Sequence, residues 1–429
     1  MATNDGRGAV PAVLLVTVLL APAVGYGGYA AGRELRDTGA PSALASATPS
    51  ASATSTPAAA SPTPSPSATG TPTELSREAR ELASRASVRL SPPSGSYLGS
   101  GSIVSPDGLV LTNAHVAQPT APGLARVYDT QVMRELDPDR LVVSMTTGDG
   151  PAEPTYLADV LAVDGHLDLA VLKIASFADG RPLPGDLQLP HVPLGSVDDL
   201  ARGDELTVYG YPALNQGDRL TVRPGVVGTF LPDPLGLVSG ERYIVETTAD
   251  FSGGNSGGMA LSNDGALVGV PSSVFTDEAQ AQAHKLRAVD LAEPLLSAAS
   301  TGVPYRSPYP PQATGQEAAE DLGWTDGEYC NSPSSEVFQT STSDVMGRLR
   351  LTGMADGEDV LMVLRDGGEV VKVQVEAYDA DDACSAVRLP EDAPEDGNVL
   401  PGAYELEVLV GPERVSVLRS SVLVTPPGE

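Results

Sequence analysis

Three short stretches hold residue types that could break an acyl bond. They are Thr112-Asn113-Ala114-His115-Val116, Asp168-Leu169-Ala170-Val171-Leu172-Lys173 and Gly253-Gly254-Asn255-Ser256-Gly257-Gly258. A serine hydroxyl is a weak nucleophile at neutral pH and needs a base within hydrogen-bond reach to take its proton. Neutral imidazole suits that task, since its unperturbed pKa lies near ~6.5. A buried aspartate fixes the imidazole tautomer and stabilises the imidazolium that forms. These rules make Ser256 the candidate nucleophile, His115 the general base and Asp168 the orienting acid. The attacked carbonyl becomes an oxyanion that backbone N–H groups must meet. Turning them inward needs φ values that glycine reaches cheaply, so the candidate oxyanion hole is Gly254, Asn255 and Ser256, with the N–H groups of Gly254 and Ser256 as donors. Singly, each stretch has an ordinary explanation: a glycine-rich loop, a core histidine, a carboxylate opening a strand. The chain has only four histidines, and one of them falls in the right order with the other two residues, which favours catalysis. His166, two residues before Asp168 and expected on its strand face, reads as incidental, and His191 and His284 have no motif around them.

The elements that would position these residues are strands. Short apolar runs such as Ile103-Val104, Leu109-Val110-Leu111, Leu206-Thr207-Val208-Tyr209 and Ala266-Leu267-Val268-Gly269-Val270 recur between Gly, Asp and Pro. Such spacing reads as all-β, a sandwich or barrel. Helical spacing marks residues 75–87, leading into the strands, and Leu291 to Ala299, following them.

Residues 97–296 resemble the trypsin-fold serine proteases of the bacterial HtrA/DegP-like type. The likeness runs through Gly99-Ser100-Gly101-Ser102-Ile103-Val104, Asp107-Gly108-Leu109-Val110-Leu111-Thr112-Asn113-Ala114-His115-Val116 and Asp168-Leu169-Ala170-Val171-Leu172-Lys173-Ile174. It continues through Pro193-Leu194-Gly195-Ser196, Arg202 to Pro212, Glu246 to Asp250 and Gly254-Asn255-Ser256-Gly257-Gly258. The order His, Asp, Ser is that of the chymotrypsin-type triad. The resemblance implies two six-stranded β-barrels with the triad in the cleft between them, His115 and Asp168 on the first barrel and Ser256 on the second. It also places Asp250, six residues before Ser256, at the floor of the pocket for the residue preceding the cut. A carboxylate there would select Arg or Lys by charge pairing; the rival explanation is a hydrogen bond within its own loop. Val270, Pro271 and Ser272 fall in the segment that should wall the substrate cleft, where a proline cannot donate to a ladder. Met259 stands where the family commonly has proline, and the C-terminal region does not read as the PDZ domain that usually follows.

The remaining chain bounds compartment and partners. A net charge of −30 argues against nucleic acid as a partner; it fits a solvated surface, with protein or peptide substrates. Beyond an N-terminus at residues 1–8, expected in the cytoplasm, residues 9–32 carry no charge and include the apolar run Val10 to Leu20. At about 1.5 Å per residue they suffice for a single-pass transmembrane helix; the alternative is a secretory signal peptide cleaved near Ala21-Pro22-Ala23. Either places the bulk of the chain outside the cytoplasm, on the cell membrane or secreted. Residues 33–74 read as a disordered linker, 33 of the 36 positions from 38 to 73 being Ala, Ser, Thr or Pro, a composition that cannot bury enough apolar surface to fold. The protease domain is expected over 75–300, with an insertion at 117–141 near the cleft rim, a Pro-rich linker over 301–318 and a small β-sandwich over 319–429, nearest the immunoglobulin type, with Asp366-Gly367-Gly368 as a hairpin signal. Cys330 and Cys384, the only cysteines, are expected to pair in an oxidising compartment. No metal-ligand spacing and no cofactor motif is found, and oligomeric state stays open. The expectation is an extracytoplasmic serine endopeptidase acting through an acyl-enzyme, with cleavage after basic residues. The rival is a catalytically silent protease fold used for binding or adhesion at the cell surface.

Overall fold

The computed structural model describes residues 74–427 except 129, 214–217, 277–281, 328–329, 383 and 392–397. The apolar segment 9–32 and the linker up to residue 73 lie outside the described residues. Among the described residues, no helix is long and apolar enough to cross a membrane.

Ser76 caps the first helix, α1 (Arg77–Ala86), by accepting the Ala79 N–H at 3.1 Å, which satisfies one of the orphan donors of a helix start. The chain then forms β1 (Ser87–Ser91), β2 (Gly99–Ile103) and β3 (Leu109–Thr112), and two short helices, α2 (Ala114–Ala117) and α3 (Leu124–Tyr128). The strands β4 (Gln131–Met133), β5 (Arg140–Thr146), β6 (Ala152–Asp164) and β7 (Leu169–Phe177) follow. Without β4, these close as a barrel in the order β1-β2-β3-β7-β6-β5. Next come β8 (Glu205–Gly210), β9 (Thr221–Leu231), β10 (Ile244–Thr247), β11 (Met259–Ser262), β12 (Leu267–Thr276) and β13 (Gln282–Ala288), closing as β10-β13-β12-β11-β8-β9. Closure leaves no strand edge unpaired. Leu90, Ile103, Leu111, Leu141, Leu169, Leu172 and Ile174 fill the first barrel with next to no exposure, each contributing about 1.5–3 kcal/mol by burial. One core joins these residues to Tyr243, Ile244, Met259, Leu261 and Val270 of the second barrel, and Leu295 of α4 (Glu293–Thr301) is buried in it as well.

The expected linker after α4 runs without helix or strand from 303 to 317 and packs against the first barrel. Tyr305 donates to Asp164 Oδ2 at 2.7 Å, and Tyr305 and Tyr309 lie on the first-barrel core. Beyond it are β14 (Ala318–Thr325), β15 (Val337–Gln339), β16 (Met346–Thr352), β17 (Asp359–Asp366), β18 (Glu369–Ala377), β19 (Cys384–Arg388), β20 (Gly402–Val410) and β21 (Val415–Thr425). A three-stranded sheet, β14-β16-β19, and a six-stranded sheet, β15-β21-β20-β17-β18-β4, share one apolar core that includes Trp324, Leu349, Val387, Met362, Leu406 and Val408. The Gly367-Gly368 turn joins β17 to β18 with φ of 57° and 95°, values that favour glycine at both positions. Cys330 and Cys384 form a disulfide with Cα atoms 6.4 Å apart, tying the β14–β15 connection to an edge strand. β15 pairs with β21 in parallel, and β4, the last strand of the larger sheet, comes from the insertion in the first barrel.

Candidate active site

Asp168 sits on a turn rather than at the start of a strand. The turn 165–168 joins β6 to β7 and is held by Asp164, whose Oδ1 accepts the N–H groups of His166 and Leu167 at 2.9 and 3.1 Å. Asp168 itself has a left-handed backbone, φ 53°, a conformation short polar side chains tolerate best and one that clusters at functional sites. His166 does not share a strand face with it; the ring is 1% exposed and packs against Gly123, where an added Cβ would come within 2.4 Å of Nδ1. Burial pushes the His166 pKa down.

Asn113 leads into α2 and donates from Nδ2 to the Asp168 carbonyl at 2.8 Å, linking the histidine segment to the aspartate turn. His115 Nδ1 lies 2.9 Å from Asp168 Oδ1 and 3.1 Å from Oδ2, and its backbone N–H donates to Oδ1 at 3.1 Å. The Asp168 side chain is fully buried while that of His115 is 26% exposed, so the imidazole has one sealed edge and one open edge. Burial opposes the carboxylate's charge. The His115 ring, its hydrogen bond, the Arg287 guanidinium and the Ser272 hydroxyl outweigh that opposition and hold the Asp168 carboxyl below its ordinary range.

Ser256 lies in a turn between β10 and β11 anchored to the first barrel. Ser100 N–H donates to the Ser256 carbonyl at 2.8 Å, and Ser100 Oγ donates to the Gly254 carbonyl at 2.7 Å. Gly254 and Gly257 have φ of 93° and 83°. The Gly253 carbonyl takes the Ala213 N–H at 2.7 Å; in a trans peptide the Gly254 N–H points the opposite way. Among the hydrogen bonds of the described residues, neither the Gly254 nor the Ser256 N–H has a protein acceptor. Asn255 is different: its N–H and its Nδ2 both go to the Ser252 carbonyl, each at 3.1 Å. Ser256 Oγ donates to the Ser272 carbonyl at 3.4 Å; no hydrogen bond joins it to His115 in this state.

The cleft-wall residues divide. Ser272 turns its hydroxyl to Asp168 Oδ2 at 2.6 Å. Pro271 falls where the β12–β13 register shifts, a bulge that tolerates a residue with no N–H, and its carbonyl accepts the Gly257 N–H at 2.9 Å. The Val270 side chain is wholly buried in the core joining the barrels. Asp250 keeps a side chain 80% exposed, 3.6 Å from His284 Nε2.

Two contributors escaped the sequence reading. Arg287 on β13 is 5% exposed and its charge acts on Asp168. Tyr128, at the end of α3, donates to Asp168 Oδ2 at 2.5 Å and stands edge-on to the His115 ring with centroids 5.5 Å apart. Neither sits in a recognisable motif; the insertion between His115 and Asp168 was the available signal.

Residues 99–270 match the family described as the trypsin-like peptidase domain. The chain is 31% identical over 178 residues to a probable periplasmic serine endoprotease DegP-like from Chlamydia pneumoniae, covering 42% of this chain and 29% of that protein. It is 33% identical over 174 residues to serine protease HTRA1 of Xenopus tropicalis, covering 40% and 30%. It is 33% identical over 183 residues to serine protease HTRA4 of Homo sapiens, covering 42% and 31%. The chain thus spans about three-tenths of the length of the curated relatives it matches.

Proposed function

We propose that this chain is a serine endopeptidase that hydrolyses peptide bonds through an acyl-enzyme. The observation that carries the reading is the sealed, doubly accepting contact of Asp168 with His115 Nδ1, which holds a proton on Nδ1 and turns Nε2 to the open edge as the acceptor. Ser256 Oγ leaves the Ser272 carbonyl, attacks the scissile carbonyl and passes its proton to His115 Nε2. The oxyanion lies against the N–H groups of Gly254 and Ser256. The imidazolium then protonates the departing amine, and water attacks the ester by the same route in reverse, releasing the acid. Peptide substrates and the HtrA/DegP-like type fit the similarity of residues 99–270.

Three finer points belong to the same proposal. The Asp250 carboxylate confers a preference for Arg or Lys before the cut, a reading that rests on its place six residues before Ser256 in the family pattern. The catalytic domain works outside the cytoplasm, supported by the Cys330–Cys384 bond, which an oxidising compartment favours. The anchor or leader is the segment 9–32, a reading that rests on sequence alone.

The test is labelling with a serine-reactive fluorophosphonate, comparing the full chain with Ser256→Ala. Labelling and peptide hydrolysis that both vanish in the variant are expected. A wild-type chain that neither labels nor cleaves peptides would favour the silent, binding reading instead.

A further inference from the structure

The insertion between α2 and β5 belongs to two bodies at once. Its strand β4 pairs antiparallel with β18, with Val132 opposite Gln374, and so completes the C-terminal sheet. Its helix α3 buries Ala125 among Leu361, Val363, Val373 and Val375 of that sheet. Asp359, 1% exposed, accepts the Gly123 N–H with both carboxylate oxygens at 2.9 Å, and Arg414 donates to the Thr120 carbonyl. Gly123 has φ 97° and abuts the His166 ring, which favours glycine at that donor position.

The other end of this clamp reaches the triad. Five residues after Gly123, the Tyr128 hydroxyl meets Asp168 Oδ2 at 2.5 Å and lies 2.7 Å from Ser272 Oγ. Asp168 Oδ1 is taken by His115, so Tyr128 and Ser272 together fix the second oxygen and with it the carboxylate plane. A carboxylate free to rotate would lose the geometry that orients the imidazole, and geometric errors near 1 Å can lower rates ~100-fold.

We propose that the C-terminal sandwich is a working part of the catalytic apparatus, holding the insertion so that Tyr128 acts as a positioning residue for Asp168. This rests on the proteolytic reading above. The Tyr128 hydroxyl meets Asp168 and Ser272 rather than Ser256 or a His115 nitrogen; it acts through the aspartate.

The experiment is a double-mutant cycle on the full chain, with peptide kinetics, thermal unfolding and the downfield proton resonance of the His115–Asp168 bond as readouts. Tyr128→Phe keeps the ring and removes the hydroxyl. It is expected to lower kcat roughly tenfold, the size of a lost hydrogen bond to a charged group, with KM close to wild type, the unfolding temperature lowered by a few degrees at most because Ser272 still meets the same oxygen, and the resonance moved. Asp359→Ala, remote from the cleft, is expected to lower kcat in the same direction, and the double variant to be no worse than Tyr128→Phe, since coupled residues are non-additive. Arg414→Met provides the same cycle where Asp359→Ala does not fold. Wild-type kcat in Tyr128→Phe, or losses that multiply in the double variant, overturns the inference while leaving the protease reading intact. A wild-type chain inert to peptides and fluorophosphonate overturns both.

Discussion

Gly257 offers a sharp test of how Ser256, the proposed nucleophile, is seated. Its φ of 83° is left-handed, and a Cβ built on it would lie 2.1 Å from Thr112 Oγ1, 2.2 Å from the Ser100 carbonyl oxygen and 3.1 Å from the Asn113 nitrogen. In Gly257→Ala the left-handed backbone costs about 1–2 kcal/mol, and overpacking adds roughly 1–3 kcal/mol. The Thr112 hydroxyl can swing away by giving up its 2.7 Å bond to the Ser100 carbonyl, but that carbonyl is strand backbone. The turn must therefore retreat, and restoring ordinary contact moves it by about 1 Å. Ser100 is also the residue that anchors the Ser256 and Gly254 carbonyls, so the retreat pulls Ser256 from the barrel that carries His115. A displacement of that size is expected to lower kcat/KM ~100-fold, with stability down by about 2–5 kcal/mol in total. The control is Gly203→Ala, where φ is 91° and nothing lies within 4 Å of an added Cβ: it bears the backbone strain alone and should keep wild-type kcat/KM. The assays are peptide hydrolysis and denaturant unfolding. Activity in Gly257→Ala equal to that of Gly203→Ala, with equal stability loss, would show that the Ser256 turn is not held against the first barrel in this way.

Two other predictions follow from the site's electrostatics. Asp168 has a folded-state pKa below its ordinary 3.8, so the unfolded chain binds the proton first, and the stabilisation is complete above pH 3.8 and is lost as pH falls through the lower folded value. The stability gap between wild type and Asp168→Asn should therefore be smaller below pH 3.8 than at about pH 5, measured by denaturant titration; a gap that widens as pH falls below 3.8 contradicts the depressed carboxyl. Asp250→Ser should cut kcat/KM for peptides with Arg or Lys before the cut by roughly 10- to 100-fold, the range for a lost charge-assisted bond, and leave Val or Leu substrates unchanged; equal wild-type rates on all of them remove the charge argument.

How much of this could be read from sequence depended on whether a residue's role was set by its chain neighbours. The short apolar runs between turn residues announced the strands of a sandwich or barrel, and only the family resemblance implied that they close as two six-stranded barrels. The turn around Ser256 was legible because its glycines are the chemistry: φ near 90° at Gly254 and Gly257 leaves little choice of residue. Asp168 was found by its context, yet its left-handed turn was not, because the apolar run after it hides a bend completed by Asp164. Strand β4 was missed for a physical reason. Gln131, Val132 and Met133 show too short a pattern to alternate, and their pairing exists only because the β18 edge is present. The clamp was equally hidden: Gly123 and Asp359 stand 236 positions apart, and no local pattern ties an aspartate opening a strand to an amide in another domain. The prolines of 301–318 marked the irregular backbone that runs from α4 to β14, but not the tyrosines that pin it to the first barrel.

Asp168 also explains why the site is distributed over three parts of the fold. A fully buried carboxylate carries a penalty of several kcal/mol unless its oxygens are met. The first barrel supplies donors to Oδ1, from the His115 ring and backbone, and little for Oδ2 beyond the far edge of the same ring contact. The remaining donors come from elsewhere: Ser272 from the second barrel, and Tyr128 from an insertion whose position is set by the C-terminal sheet. Arg287, on the strand next to that of Ser272, adds charge from the same side. The barrel that bears the histidine and the aspartate therefore cannot by itself keep the aspartate both dry and ionised. Its charge, and through it the tautomer of His115, is a property of the assembled molecule, which is why residues far outside the matched region 99–270 should register in the rate.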